Sequence, residues 1–244
     1  MLSYSITEGK LNEEGVDGIQ LMSKYLRNSS SPSTIQLIQQ FGSFIFEHSV
    51  DEAYKVFTLS EVSTDSIHDF ILGLFDTLPD EKRKLYRTKY VKYLVMMTHL
   101  EEPMLNTEYL QILLAELEAC AAENNADFNC VKLENTPAEI KDKRMEFYTV
   151  LKSNQYYDAQ TLLDTIGEKP LWFERIVLLS KLNRFAEAIS IVINELKSIK
   201  FACECCSRFA TLEGSKDNDP WKILLEILFK ENDEEYSYSL IIML

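Results

Sequence analysis

Apolar positions recur every three or four residues along most of this chain, the spacing that lines one face of an α-helix. Thr34 opens a run with Ile35, Ile38, Phe41 and Ile45 after Pro32-Ser33. Asp51-Glu52-Ala53 starts a shorter one carrying Tyr54, Val56 and Phe57. Ser63-Thr64-Asp65 reads as a cap before Ile67, Phe70, Ile71, Leu74 and Phe75. Pro79-Asp80-Glu81 opens a long helix that runs to about His99, and Asn106-Thr107-Glu108 leads into Tyr109, Leu110, Leu113, Leu114 and Leu117. Further helices are predicted over about 140–152, 158–166, 170–182, 185–196 and 199–209, and another follows Pro220-Trp221. The polar stretch 123–139, with four asparagines and Pro137, reads as a linker and a candidate flexible insertion. The chain stops at Ser239-Leu-Ile-Ile-Met-Leu244 in mid-pattern, so 1–244 is expected to be one piece of a longer protein.

About a dozen short helices joined by short loops imply antiparallel neighbours, in a bundle or a stacked solenoid. Weak internal echoes favour the solenoid. Asp51-Glu-Ala, Asp158-Ala and Ala186-Glu-Ala each open a helix with an acid beside a small residue. The fold class is therefore read as all-α, an irregular α-solenoid of antiparallel helix pairs. Seven glycines and six prolines, about one residue in twenty, leave too few tight turns for an all-β fold.

Charge narrows the partners. With 25 Lys and Arg against 39 Asp and Glu, the net charge of −14 opposes nucleic acid and anionic membranes. No apolar run approaches the ~18 residues of a membrane span, so no direct membrane insertion is expected. Neither a secretory leader nor a disulfide framework is legible in the amino-terminal segment or the five cysteines, which places the chain in the cytoplasm with reduced thiols.

Catalysis and cofactors are not expected. His48, His68 and His99 have no partner carboxylate at a recognisable spacing and read as surface residues near helix ends. Cys203, Cys205 and Cys206 lack a fourth metal ligand nearby. On a helix, Cys203 and Cys206 share a face with Ile199 and Ala202, so the plain reading is small core residues. The acidic runs Glu101-Glu102 and Asp233-Glu234-Glu235 read as solvated loops.

One segment opposes the overall charge: six cations stand between Lys82 and Lys92. Tyr86, Tyr90, Tyr93, Leu94 and Met97 share one arc, leaving Lys84, Arg87, Lys89 and Lys92 over the rest. These four residues are either a solvated outer face or a docking patch for an acidic partner.

Several segments together form a recognisable pattern. Leu171-Trp-Phe-Glu-Arg175 leads to Leu178-Leu179, then Leu182-x-Arg184, Glu187-Ala188-Ile189 and Leu196. It resembles an L-x-x-E-R-A-x-L-L helix followed by G-R-x-x-E-A-L, with Asn183 where a Gly usually closes the helix. Tyr156-Tyr157-Asp158, Ala202-x-Glu204-x-Cys206, Glu52-Ala53-Tyr54-Lys55-Val56-Phe57 and Tyr90-Val-Lys-Tyr-Leu94 match further elements in order. The chain thus resembles, from about 18 to 206, the clathrin-heavy-chain-repeat region of a family of endolysosomal tethering subunits. These are vacuolar protein sorting-associated protein thirty-nine, the TGF-beta-receptor-associated protein and their fungal counterpart.

The resemblance implies a scaffold and spacer segment of a HOPS or CORVET subunit. Its partners would be the other tethering subunits, with Rab GTPases and SNAREs associated indirectly. Its place would be peripheral, on late endosome, lysosome or vacuole membranes. Cys206 would then be a helical core residue. A generic peptide-binding helical repeat or coat-type adaptor is the alternative, and would carry a groove lined with aromatic or basic residues.

Overall fold

In the computed structural model the described residues are 15–28, 34–58, 65–98, 101–130, 132–212, 214 and 218–230. They form twelve α-helices and a short 3-10 turn at Leu133–Asn135, with no strand among them. The chain divides into two compact units, Met1–Leu100 and Glu101–Leu244. That division falls outside the 123–139 stretch that the sequence marks as a linker. No helix among the described residues is long and apolar enough to cross a membrane.

The first unit holds α1 (Gly15–Arg27), α2 (Thr34–His48), α3 (Val50–Phe57), α4 (Asp65–Asp76) and α5 (Asp80–Thr98). The sequence reading lacks α1 altogether, although Ile19, Met22 and Leu26 are buried at helical spacing. Two glycines and a polar amino-terminal flank obscure that pattern. Ser49 caps α3 by accepting a hydrogen bond from the Glu52 amide at 3.3 Å. The Pro32-Ser33 and Ser63-Thr64 signals lie outside the described residues, but the helices they announce begin at Thr34 and Asp65.

The core of this unit is a cluster of aromatic rings centred on Phe75, which is fully buried. Its ring meets Phe46 at 5.8 Å, Phe57 at 6.2 Å, Tyr90 at 5.6 Å and Tyr86 at 6.1 Å between centroids. These are the edge-on and offset arrangements that aromatic quadrupoles favour. They join α2, α3, α4 and α5 around one point.

The second unit holds α6 (Pro103–Asn124), α7 (Ala138–Ser153), α8 (Ala159–Ile166), α9 (Trp172–Lys181), α10 (Phe185–Asn194), α11 (Ile199–Phe209) and α12 (Pro220–Lys230). Packing is sequential: α6 meets α7 and α8, α9 meets α7, α8 and α10, and α10 meets α11 and α12. Asp158 caps α8, accepting from the amides of Gln160 at 2.9 Å and Thr161 at 3.2 Å. Ser198 does the same for α11. Asn125 ends α6 with φ 50°, and Asn183 leaves α9 with φ 57°, the left-handed geometry expected where a Gly would stand.

Two sequence expectations are corrected here. The helix read from Asn106 starts three residues earlier, with Pro103 at its first position, where a missing N–H costs nothing. Asn106 and Thr107 therefore lie within the helix and not before it. They are buried in the first turns and donate back to the Glu102 and Pro103 carbonyls, both at 2.7 Å. Within the cysteine cluster, Cys205 and Cys206 face the core, whereas Cys203 is half-buried.

Between α6 and α7 the chain is tied down by a buried charge. Arg144 on α7 and Glu174 on α9 are both fully buried and paired twice, Nε to Oε1 at 2.9 Å and Nη2 to Oε2 at 3.0 Å. Arg144 Nη1 also donates to the Phe128 carbonyl at 2.6 Å and approaches Cys130 Sγ at 3.1 Å. Burial works against the Arg144 charge, but Glu174 together with Cys130 holds the guanidinium above its ordinary range. Cys130 and Thr136, inside the asparagine-rich stretch, are buried as well.

Candidate interaction surface

The cations singled out by sequence all lie on α5, and the aromatic core sets which way each points. Tyr86, Tyr90, Val91 and Leu94 are buried along its inner side. Hydroxyl groups lock that rotation: Tyr86 donates to Asp51 Oδ1 at 2.8 Å, and Tyr54 donates to the Lys89 carbonyl at 3.3 Å. The Tyr90 hydroxyl and His68 Nδ1 share a hydrogen bond of 3.0 Å. His68 is thus buried on α4, not at the surface, because Tyr90 needs a polar partner inside the core. Burial pushes the Tyr90 phenol well above its usual range, so it stays neutral and usable as a donor.

The four candidate residues do not share one surface. Arg87 is half-buried and turns toward the end of α4, where its Nη1 meets Asp76 at 3.4 Å. Lys84 is exposed, about 80° of helix rotation from Lys92 and about 140° from Lys89. Lys89 is exposed, with its ammonium 5.4 Å from the Tyr86 ring centre, and Lys92 is half-buried on the same side. Arg83 pairs with Asp80 within the first turn. Met97, placed by sequence on the inner arc, has its side chain outside the description.

Sequence reasoning missed the apolar members of this outer side. Leu85 and Met96 are 49% and 59% exposed, turned about 80–140° around the helix from Tyr86 and Tyr90. The signal was present in the spacing 82, 85, 89, 92, 96, which alternates three and four. It went unread because the tyrosine arc accounted for the helix on its own.

The second unit contains an open cleft of about 640 Å³ lined by Pro103, Met104, Thr107, Glu108, Gln111, Asp158 and Thr161. Met104, 75% exposed, is its large apolar side chain. No aromatic or basic residue lines it, unlike the groove expected of a peptide-binding repeat. Asp158 is held below its ordinary carboxyl range chiefly by the Thr161 hydroxyl, and so is occupied in capping α8. Among the described residues no three His, Cys, Asp or Glu side chains converge as metal ligands. His48 is exposed and bonds only within its own helix, Nδ1 to the Phe44 carbonyl at 2.8 Å.

Comparison with known proteins places the chain among distant relatives. No family model and no solved structure matches it. It is 22% identical over 214 residues to vacuolar sorting protein 39 of Arabidopsis thaliana, covering 85% of this chain and 20% of that protein. It is 19% identical over 227 residues to the vacuolar protein sorting-associated protein 39 homolog of Caenorhabditis elegans, covering 90% of this chain and 24% of that protein. The chain spans about a quarter or less of the curated relatives it matches, and is similar to these vacuolar sorting proteins along most of its own length.

Proposed function

We propose that the chain is a non-catalytic scaffold segment of a membrane-tethering subunit of the HOPS or CORVET kind, an irregular α-solenoid that holds other subunits in place. The observation that carries this reading is the similarity to vacuolar sorting proteins over 85–90% of the chain. The structure supports it in two ways. Helices pack on their sequence neighbours, the arrangement a solenoid builds from. The segment that carries the family-like pattern, Leu171 to Leu196, contributes buried side chains rather than a site: Glu174, Leu178, Ala188 and Ile189 are all inside.

Catalysis is a poor fit for the same reason. His68 is engaged with Tyr90, and the polar residues of the cleft cap helices or line an open surface. Rab GTPases and SNAREs would be met through the other subunits, at late endosomal, lysosomal or vacuolar membranes.

The test is co-expression of the chain with the remaining subunits of such a complex, followed by size-exclusion chromatography. Stoichiometric co-elution with at least one subunit is expected. Failure to associate with any of them overturns the reading, and so does tight, GTP-dependent binding of a Rab by this chain alone.

A further inference from the structure

The first turn of α9 holds a charge that the described residues leave without a counter-charge. Arg175 is half-buried, and its guanidinium lies against the Trp172 indole, 5.5 Å from the ring centre. Its Nε is enclosed yet meets no acceptor, and no carboxylate among the described residues pairs with it. That is unexpected in a chain with 39 acidic residues and 25 Lys and Arg. Arg83, Arg87, Arg144 and Arg184 each hold an Asp or Glu. The acid of the neighbouring loop is turned elsewhere: Asp127 accepts from the Asn129 amide at 3.0 Å.

Stacking does not satisfy the group. Contact with an indole uses the flat face of a guanidinium, whereas its N–H donors point outward in the plane and need acceptors. The contact instead fixes that plane in advance, which lowers the cost of binding. Trp172 is held in turn, its Nε1 donating to Asn129 Oδ1 at 3.3 Å. Enclosure of Nε strips water from one side of the charge and strengthens its attraction for an incoming anion. A fixed tryptophan beside a partly desolvated arginine is the kind of pair that dominates protein interfaces.

We infer that Trp172 and Arg175 anchor an Asp or Glu side chain of a partner protein. The carboxylate accepts from the two Nη groups, and an apolar neighbour of that acid packs on the exposed part of the indole. The donor set selects the occupant: a guanidinium offers donors alone, and its planar fork matches a carboxylate. A phosphate fits the fork as well, but it has nothing to place on the indole and meets stronger repulsion from the net charge of −14. The inference rests on the assembly reading only in taking the acid to belong to a protein.

The isotope-labelled chain is titrated with capped peptides, and the Trp172 indole and Arg175 Nε–H signals are followed by nuclear magnetic resonance. The peptides are Leu-Glu-Glu-Leu, Leu-Gln-Gln-Leu and Leu-Lys-Lys-Leu, with inorganic phosphate as a fourth arm. The glutamate peptide is expected to shift both signals saturably and to bind about tenfold tighter than either other peptide. Arg175→Gln should remove that selectivity, and Arg175→Lys should weaken it, since an ammonium lacks the fork. Trp172→Ala should weaken the glutamate and glutamine peptides alike, with the helical circular dichroism unchanged.

No saturable shift, equal binding of the glutamate and glutamine peptides, or selectivity that survives Arg175→Gln overturns the inference. Phosphate binding tighter than the glutamate peptide also overturns it, in favour of a general oxyanion site. Because no tethering subunit is present, success here with failed co-elution would refute the assembly reading alone, and the converse would refute only the Trp172–Arg175 anchor.

Discussion

Arg144 and Glu174 are the residues whose chemistry is least forgiving. Each is fully buried, and each leaves an uncompensated charge if the other is removed. Glu174→Ala should cost roughly 3–5 kcal/mol in denaturant unfolding, whereas the double change Arg144→Met with Glu174→Leu should cost clearly less. A single variant no worse than the double would show that the pair is not coupled. The thiols offer a second test at this scale. Cys206 is buried, and desolvation pushes its thiol up to about 12, so little thiolate exists near neutrality. Cys120 and Cys203, half-buried, should alkylate in the native chain well before Cys205 and Cys206 as read by mass spectrometry. Pair and thiols differ in legibility. That Cys206 belongs to the core follows from its place on a helix face; that an Arg and a Glu thirty residues apart share one cavity could not be read from helix periodicity, which reports faces and not partners.

Helix ends and helix contacts carry the next scale. Asp158 caps α8 through the Gln160 and Thr161 amides, and Asp158→Ala should cost about 1 kcal/mol. Its carboxyl is held below the ordinary range, so its contribution is present above that range and fades as pH falls through the lowered value. Asp158→Asn should keep most of the cap and flatten that acid limb of the stability profile. The turn between α9 and α10 depends on Asn183 at φ 57°, with Gly214 so close that a Cβ there would lie 2.3 Å from the Asn183 side chain. A β-branched residue at 183 should therefore destabilise, while Gly should be tolerated. Ala188 is fully buried on α10, and Ala188→Leu should cost roughly 1–3 kcal/mol by overpacking; an unchanged melting temperature would mean that this contact is loose. Most of these ends were visible in the sequence as Ser, Asp, Asn and Pro. The start of α6 was not, because Asn106 and Thr107 resemble caps while serving as buried bonds to the preceding turn.

For the molecule as a whole, the prediction is a division of labour. On the proposed scaffold reading, the chain should supply contact and spacing, not nucleotide sensing. Reversing Lys89 and Lys92 should slow assembly with a captured subunit more at low than at high ionic strength, measured by stopped-flow or surface binding. An unchanged rate would leave the outer face of α5 as solvated surface. The boundary between the two compact units comes at Leu100, after the basic helix.

The sequence by itself determined the class of the molecule. Periodicity and scarce glycine and proline made it helical, and cap residues placed most helix starts, because both are local properties of a few neighbouring side chains. Only the tertiary structure decided what each face meets. It buried His68 against Tyr90, paired Arg144 with Glu174, tied the Phe128 carbonyl to Arg144, and left Leu85 and Met96 outside. Those outcomes depend on residues distant in the chain, which a helical pattern brings to a surface but cannot pair.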